Sequence, residues 1–234
     1  NKTIFITGAG GSIGSELCNQ LIFQSPAKII LLDHSEYNLY SIKEKLEKIV
    51  KLHNIQSEIV FSLTSINDIN FLRKLLLLHN PDYIFHTAAY KHVELVEKNI
   101  LEALHNNFFG TLNLVLICNE LKLKNFVLIS SDKAVRPTSI MGASKRLAEL
   151  VIQAYANYEN NTTIYSIVRF GNVLGSSGSV INKFNEQIEN ENFVTVTHPE
   201  VTRFFMTIQE SVNLILHASL MAKGGEIFLL DMGE

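Results

Sequence analysis

The sequence predicts an α/β fold in which a doubly wound parallel sheet carries helices on both faces. Short runs rich in β-branched residues alternate with longer amphipathic segments along the whole chain, which is the order expected when each strand is followed by a crossover helix. A length of 234 residues, 47% of them hydrophobic, is enough for one sizeable core. The predicted strands are Thr3–Thr7, Lys28–Asp33, Ser57–Ser62, Tyr83–Thr87, Phe126–Ser130 and Ile164–Arg169, and the clearest predicted helices are Glu36–Leu52 and Ile66–His79.

The composition argues against several classes of protein. A formal net charge of −3 does not suit a nucleic-acid surface, which usually needs a basic face. No apolar run reaches the length of about 18 residues that a membrane span requires. The two cysteines, Cys18 and Cys118, lie far apart and outside any CxxC pattern. We therefore expect neither a disulfide framework nor a metal site, and we expect a cytoplasmic setting.

The first predicted strand leads directly into a glycine-rich turn, Gly8-Ala-Gly-Gly-Ser-Ile-Gly14. Gly8 permits a tight turn, Gly11 lets the backbone approach a diphosphate, and Gly14 allows the next helix to pack close to the strand. The N-terminus of that helix offers amide groups and a partial positive charge to phosphates. Because strand, turn and helix occur together, the motif is typical of a Rossmann-type dinucleotide-binding domain.

A carboxylate ends the second predicted strand. Asp33 lies about 20 residues beyond the glycines, where an acid can hold the ribose hydroxyls of a dinucleotide. Because a carboxylate would repel a 2′-phosphate, we expect the cofactor to be NAD rather than NADP. The alternative is a purely structural glycine turn in which Asp33 caps a helix.

The regular alternation of strands and helices loosens after Gly171. Phe193–Thr197 resembles a strand and Ile208–Met221 resembles a helix. We expect an NAD-binding domain over residues 1–170 and a smaller substrate-binding portion over residues 171–234, interleaved with the first domain.

The fifth predicted strand runs into Ser130-Ser-Asp-Lys133, at the edge of the sheet where ligands bind in such folds. In the helical segment that follows, Met141 and Lys145 are four residues apart and share one helix face. The adjacent Asp132 and Lys133 can perform opposite proton transfers. The alternative for these two residues is an ordinary solvated ion pair.

The sequence closely resembles the UDP-N-acetylglucosamine 4,6-dehydratases of bacterial polysaccharide and glycan biosynthesis, within the extended short-chain dehydrogenase/reductase superfamily. Most members of that superfamily have tyrosine where this chain has Met141. Methionine there is a feature of the larger, often membrane-anchored branch, which retains configuration at C5 and whose longer members carry transmembrane helices ahead of this domain. The stretches that carry the resemblance are Thr7–Leu17, Asp33–Glu36, His86–Val93, Ser130–Thr138, Met141–Glu149, Arg169–Ser179, Val194–Pro199 and Thr202–Thr207.

The resemblance implies an internal oxidation and reduction of the sugar. C4 is oxidised, water is lost across C5 and C6, and hydride returns to C6. We hypothesise that Asp132, protonated by burial near the sugar, donates to the departing C6 oxygen and that neutral Lys133 removes the C5 proton. Lys145 would bridge the nicotinamide ribose, and Ser131 would hydrogen-bond O4 in place of the missing phenol. Met141 contributes shape to the site.

The resemblance also implies which residues hold the ligands. Asn107 would support the backbone of the site, and a UDP-sugar and a second copy of the chain are the expected partners, with no nucleic acid and no membrane contact by this fragment. The expected cofactor residues are Gly8, Gly10, Gly11, Ser12, Ile13, Gly14, Asp33, Ala88 and Lys145. The expected substrate residues are Lys91, His92, Asn172 and Arg203, although Lys91 and His92 could equally begin a surface helix.

Two other functions stay open at this point. A UDP-sugar C4 epimerase shares the fold and the oxidation at C4, but it needs no acid–base pair for elimination and normally uses the tyrosine that Met141 replaces. A non-catalytic NAD-binding module would fit the loss of that tyrosine, but it does not explain why Asp132, Lys133 and Lys145 are all present.

Overall fold

The computed structural model describes residues 2–176, 179–191, 193–196, 198–200, 202 and 204–229. A π-helical segment, His105–Phe109, joins α5 to α6, and a 3₁₀ turn covers Asp132–Ala134. The other elements are, in chain order, β1 Thr3–Thr7, α1 Ser12–Ile22, β2 Lys28–Asp33, α2 Glu36–His53, β3 Glu58–Leu63, α3 Ile69–His79, β4 Tyr83–His86, α4 Val93–Lys98, α5 Ile100–Leu104, α6 Gly110–Leu121, β5 Asn125–Ile129, α7 Ile140–Ala156, β6 Ile164–Arg169, β7 Asn172–Val173, α8 Val180–Glu191, β8 Phe205–Met206, α9 Ile208–Met221 and β9 Glu226–Leu229.

Seven parallel strands form the main sheet, in the order β3-β2-β1-β4-β5-β6-β9. The strand order reverses between β1 and β4, so the crossover connections leave in opposite directions and open a crevice at the carboxyl ends of these strands. The predicted α/β fold, a doubly wound parallel sheet, is confirmed.

Helices cover both faces of this sheet and divide the core into two layers. Helices α1, α2 and α9 pack on one face, and α3, α6 and α7 pack on the other. Along β1, Ile4 and Ile6 enter the first layer while Phe5 enters the second. Strands buried on both faces must be apolar almost throughout, which explains the runs seen in the sequence.

Local signals in the sequence account for where the helices begin and end. Ser35, Asp68 and Ser139 accept hydrogen bonds from backbone amides in the first turns of α2, α3 and α7, which satisfies amides that the helix itself leaves unpaired. Asn54 and Asn80 end α2 and α3 in the left-handed conformation. Because Asp68 caps α3, that helix begins three residues later than predicted.

The C-terminal part of the chain contributes to both the main sheet and a small appendage. Helix α9 packs on α1, and β9 pairs with β6 as the last strand of the sheet. Strands β7 and β8 form a separate two-stranded sheet, and α8 buries no side chain. The predicted boundary at residue 170 stays a prediction.

The predicted strand Phe193–Thr197 is wrong for residues 193–196, which form no strand, while Thr197 lies outside the described residues. The backbone amide of Thr195 donates to the side chain of Gln187 on α8, and the Gln187 amide donates back to the Thr195 hydroxyl. The segment is therefore paired with a helix side chain instead of a strand. Over the part of the chain that the structure describes, no helix is long and apolar enough to cross a membrane.

Candidate active site

A cavity of about 1320 Å³ opens at the carboxyl end of the sheet, beside the reversal between β1 and β4. Its wall is formed by the glycine turn, by the loops after β4, β5 and β6, and by residues of α4, α5, α7 and α8. Open α/β sheets bind their ligands at this place. The cavity wall therefore contains the predicted glycine turn and, of the predicted catalytic residues, all except Asp132.

The glycine turn forms a cradle that side chains would fill. A Cβ atom on Gly14 would overlap the carbonyl oxygen of Gly8, and a Cβ atom on Gly8, whose φ is +64°, would lie 2.8 Å from the backbone of Ala88. Gly11 is the N-cap of α1 and supplies no side-chain cap. A helix N-terminus thus meets the cavity without intervening side chains, which fits the diphosphate of a dinucleotide. The cradle residues that line the cavity are Gly8, Gly10, Gly11, Ser12, Ile13 and Gly14.

Asp33 and Ala88 lie behind this cradle and not among the residues of the cavity wall. The Asp33 carboxylate is 3% exposed, and its two oxygens accept hydrogen bonds of 2.9 Å from the amides of Gly10 and Ser35. Asp33 therefore holds the glycine turn against the start of α2, whose N-cap is Ser35 and not Asp33 as the structural alternative expected. Its contact with a ribose stays a prediction.

Ser131, Asp132, Lys133 and Asn172 form one hydrogen-bonded chain across the loops after β5 and β6. The Ser131 hydroxyl donates to Asp132 Oδ1 at 2.8 Å, and Lys133 Nζ lies 3.0 Å from the same oxygen. Lys133 also donates to Asn172 Oδ1 at 3.2 Å. Ser131, Lys133 and Asn172 line the cavity. The parallel pairing of β5 and β6 brings Lys133 and Asn172, 39 positions apart, into contact here.

The surroundings of Asp132 differ from the sequence-based hypothesis. The protein leaves 50% of its side chain exposed, so the chain does not itself supply the burial that would keep this carboxyl protonated. Asp132 Oδ1 accepts hydrogen bonds from the Ser131 hydroxyl and from Lys133 Nζ, and a carboxylate oxygen can accept both. A proton that Asp132 donates must therefore first reach it from a neighbouring group.

Lys145 and Met141 lie on the cavity side of α7, as their spacing predicted. Burial lowers the pKa of Lys145 to about 8, against a smaller opposing effect of Glu149, and its ammonium donates to the carbonyl oxygen of Ile129 at 2.6 Å. Met141 is 4% exposed and packs with Val96 of α4. Met141 thus shapes the wall between α4 and α7, while Lys145 brings a buried positive charge.

A second carboxylate near the site was missed by the sequence reasoning. Glu149 is fully buried and accepts hydrogen bonds from Ser130 at 2.6 Å, from Arg146 at 2.9 Å and from Arg169 Nε at 2.7 Å. Burial acts to raise the pKa of Glu149, but these hydrogen bonds outweigh it and hold the pKa below its usual range. The spacing of one helical turn beyond Lys145 could have placed Glu149 near the site. Its partners Ser130 and Arg169 could not be predicted, because they are distant in sequence.

A buried polar network supports the loop after β4. The Asn107 side chain accepts from the amide of Tyr90 at 2.7 Å and donates to its carbonyl oxygen at 3.0 Å, which confirms its predicted role in holding the backbone. Asn107 also donates to Ser144 of α7 at 3.0 Å. Asn107 belongs to the π-helical segment, and such segments are frequent at functional sites.

The same network contains His86, which burial keeps neutral by lowering its pKa to about 3. His86 lies 2.7 Å from the hydroxyl of Thr7 and 2.9 Å from that of Thr111. Because the Thr111 hydroxyl donates to the Asn107 carbonyl oxygen at 2.7 Å, it must accept from His86 Nε2. This assigns the tautomer and makes His86 a structural link.

The predicted substrate residues have different outcomes. Lys91 and His92 line the cavity, and His92 is also the N-cap of α4, as the alternative of a helix start predicted. Their contact with a substrate stays a prediction. Lys91 is exposed to solvent, but nearby protein atoms desolvate its ammonium and lower its pKa. Arg203 lies outside the described residues. Further wall residues that the sequence reasoning missed include Asn99, Glu102, Phe184 and Val196.

Comparison with known proteins identifies the family. The model of the polysaccharide biosynthesis protein family matches residues 4–234. The chain belongs to this family. Capsular polysaccharide biosynthesis protein CapD of Staphylococcus aureus is 49% identical to the chain over 234 residues, all of this chain and 38% of CapD. A UDP-glucose 4-epimerase of Rickettsia canadensis is 34% identical over 230 residues, 98% of this chain and 66% of the epimerase.

Solved structures show how widely this family shares its fold. The structure of Pen from Bacillus thuringiensis superposes with a TM-score of 0.90 at 34% identity, covering 98% of this chain and 71% of Pen. DesIV of Streptomyces venezuelae, a dTDP-glucose 4,6-dehydratase solved with NAD bound, superposes with a TM-score of 0.83 at 21% identity, covering 97% of this chain and 74% of DesIV. The family fold is thus that of proteins named as nucleotide-sugar dehydratases and epimerases.

Proposed function

We propose that the protein is an NAD-dependent enzyme that removes water from UDP-N-acetylglucosamine to give a UDP-4-keto-6-deoxy-HexNAc. The observation that carries this proposal is the chain of hydrogen bonds from Ser131 through Asp132 and Lys133 to Asn172. Ser131 and Lys133 line the same cavity as the glycine cradle and Lys145, and Asp132 is hydrogen-bonded to both, which supports opposite proton transfers by Asp132 and Lys133.

The proposed cofactor fits the residues of the chain. The glycine cradle suits a diphosphate, the cavity wall continues from the cradle to Lys145, and DesIV was solved with NAD. NAD held by the cradle would supply the hydride acceptor for C4 of the sugar and the hydride donor for C6. Lys145 would hydrogen-bond the nicotinamide ribose and keep positive charge beside the C4 oxygen.

Proton transfers through the chain's own residues can be balanced around this site. The O4 proton passes to Ser131 as the Ser131 hydroxyl proton passes to Asp132, along the hydrogen bond of 2.8 Å. Asp132, now protonated, donates that proton to the C6 hydroxyl as it leaves as water. This route explains how a half-exposed carboxylate becomes an acid without needing burial by the protein.

Lys133 performs the proton transfer at C5. In its neutral form it takes the C5 proton, which the C4 ketone makes acidic, and it returns a proton to C5 after hydride has reached C6. Asn172 accepts a hydrogen bond from Lys133 Nζ and fixes its position. Over the whole cycle the sugar loses one water, Asp132 returns to a carboxylate and Lys133 returns to an amine.

The alternative of a C4 epimerase is favoured by one observation, the similarity to the Rickettsia epimerase. Against it stands Met141, a buried thioether that can transfer no proton. An epimerase would also leave Asp132 and Lys133 without a reaction to perform, because epimerisation at C4 requires no elimination at C5 and C6.

Proton NMR of UDP-N-acetylglucosamine with NAD⁺ in D₂O, using the protein at its natural full length, tests the proposal. A new C6 methyl signal, with deuterium at C5, is expected, and the ring couplings will report the configuration at C5. Conversion to the C4 epimer would establish the alternative. An unchanged sugar, with NAD bound, would favour the non-catalytic module.

The substitution Asp132→Asn tests the role of the acid. We expect the rate of water loss to fall by about 10³-fold, the range typical of a lost general acid, and the appearance of reduced nicotinamide absorbance to slow as well, because asparagine cannot take the proton that Ser131 relays from O4. Asp68→Asn is the matched control, because asparagine can still cap α3 through its side-chain oxygen. Normal turnover of Asp132→Asn would remove Asp132 from the mechanism.

A further inference from the structure

Glu149 connects three elements that each carry part of the proposed site. It lies on α7, one helical turn beyond Lys145. Ser130, which donates to it, directly precedes Ser131 at the end of β5, and Arg169, which donates through Nε and Nη2, ends β6 three residues before Asn172. No proton transfer proposed above uses this carboxylate.

The connection is rigid because its members are buried and fully hydrogen-bonded. Glu149 has no exposed surface, and the side chain of Arg169 is 11% exposed. A guanidinium bound to a carboxylate through two nitrogens fixes direction as well as distance. By contrast, the hydrogen bond from Lys133 to Asn172 spans the same two loops in a more exposed setting.

We propose that Glu149 is a positioning residue, which fixes the ends of β5 and β6 against the turn of α7 that carries Lys145 and so holds the chain from Ser131 to Asn172 in register. The effect of Glu149 on kcat rests on the proposed function. Its hold on the ends of β5 and β6 and its effect on the pKa of Lys145 do not. Glu149 touches neither substrate nor cofactor in this scheme and acts through Ser130, Arg169 and Lys145.

The negative charge of Glu149 also acts on Lys145. Desolvation lowers the pKa of Lys145, and the carboxylate opposes that effect. The other titratable groups around this ammonium do not replace the carboxylate: His86 on β4 is neutral, and Lys91 and Lys133, which line the same cavity, are basic groups that supply no negative charge. Arg146 and Arg169 also carry positive charge, and both bind Glu149 itself.

The kinetic test compares three substitutions in the full-length protein. Ser130→Ala removes one hydrogen bond to Glu149 without changing charge, and Glu149→Gln removes the charge. Both should lower kcat by about 10²-fold, the cost of a displacement on the order of 1 Å at a reacting centre, with a smaller change in KM. Glu120→Gln, which makes the same chemical change at the exposed pair with Arg73, should leave both constants unchanged.

A titration that needs neither substrate nor NAD separates positioning from general structural support. With ¹³C-labelled lysine, and Lys145→Arg to assign the signal, the midpoint for Lys145 should fall by about one unit in Glu149→Gln, the lower end of what a nearby opposite charge gives. It should stay unchanged in Ser130→Ala and Glu120→Gln. Arg169→Lys, which keeps the charge but loses the two-nitrogen contact, should lower kcat and leave the midpoint in place.

These outcomes keep the two proposals apart. A wild-type protein that converts no UDP-sugar overturns the proposed function, while the titration still tests Glu149. If Glu149→Gln does not fold, Ser130→Ala and Arg169→Lys decide by their kcat values. Wild-type kcat in both of these variants, or an unmoved Lys145 midpoint in folded Glu149→Gln, overturns the positioning role.

Discussion

Two clusters of a carboxylate with its cations lie at the carboxyl ends of β5 and β6, and they differ mainly in their exposure to water. In the buried cluster, Glu149 has no exposed surface and Arg169 is 11% exposed. In the open cluster, Asp132 and Lys133 are 50% and 37% exposed. Both contain short nitrogen–oxygen contacts, and they are joined through the adjacent residues Ser130 and Ser131.

This difference in exposure suits the two clusters to different roles, the buried one to holding the site in place and the open one to proton transfer. A buried carboxylate that loses its partner stays uncompensated, so the pair is locked together. An exposed ion pair is stabilised by water almost as well apart as together, and its members are free to exchange protons and partners. We infer that Glu149 keeps the ends of β5 and β6 rigid, while the side chains of Asp132 and Lys133 stay free to move as they exchange protons.

The largest effect on stability is expected from Glu149→Gln. Removing one member of a buried, hydrogen-bonded pair leaves the Arg169 charge uncompensated, so we expect a loss of about 3 kcal/mol in the free energy of unfolding. Urea denaturation at neutral pH, with the slope of the transition compared between proteins, measures it. A loss of unfolding free energy below about 1 kcal/mol would mean that water reaches Glu149, and the two clusters would then not differ in their exposure to water.

The pH dependence of the same measurement gives an independent check. In the folded protein, the pKa of Glu149 is held below the ordinary value of 4.5 for a glutamate side chain. Its contribution is therefore fully present above about pH 4.5 and is lost as the pH falls through the folded pKa. The difference in stability between wild type and Glu149→Gln should narrow below pH 4.5, and a constant difference down to acid unfolding would contradict this assignment.

The two regions also differ in how well the sequence predicts them. The glycine turn, the caps at Ser35, Asp68 and Ser139, and the strand Ile164–Arg169 depend on neighbouring residues, and their signals are local. The spacing of Met141 and Lys145 likewise predicted a shared helix face. These features follow from propensity and periodicity within one element.

Contacts between distant elements could not be predicted in this way. Nothing in the sequence pairs Glu149 with Arg169 or Lys133 with Asn172, because the packing of α7 on β6 creates the first contact and the parallel pairing of β5 with β6 creates the second. The place of Asp33 behind the glycine turn depends on how α2 begins. The segment 193–196 has the alternation of a strand, but its partner is the side chain of Gln187.

An effect of opposite sign is expected from Lys145→Met. Because burial lowers the pKa of Lys145 to about 8 from 10.5, the buried ammonium costs stability in full below pH 8, and the cost disappears as the pH rises toward 10.5. At pH 7 the variant should be more stable by roughly 2 kcal/mol, after allowing for the unpaired Ile129 carbonyl oxygen. NAD affinity should fall at the same time, since functional groups are often kept at a cost in stability.

Urea denaturation of wild type and Lys145→Met at pH 7 and pH 10, with calorimetry of NAD binding at pH 7, measures both effects. The stability difference should shrink at the higher pH. A variant that is less stable than wild type at pH 7 would show that Lys145 stabilises the fold, and Lys145 would then belong with the buried cluster.

The smallest effect on stability is expected from Lys133→Met, which breaks the exposed pair. Exposed ion pairs contribute about 0–1 kcal/mol, so the free energy of unfolding should change by less than about 0.5 kcal/mol and Tm by less than about 2 °C. Water loss from the UDP-sugar should nevertheless fall by about 10³-fold, because methionine cannot take the C5 proton. Calorimetric unfolding and the NMR assay measure the two quantities on the same sample. A destabilisation as large as that of Glu149→Gln would show that Lys133 supports the fold as the buried cluster does. A folded variant that still eliminates water would show that Asp132 and Lys133 form only a solvated surface pair.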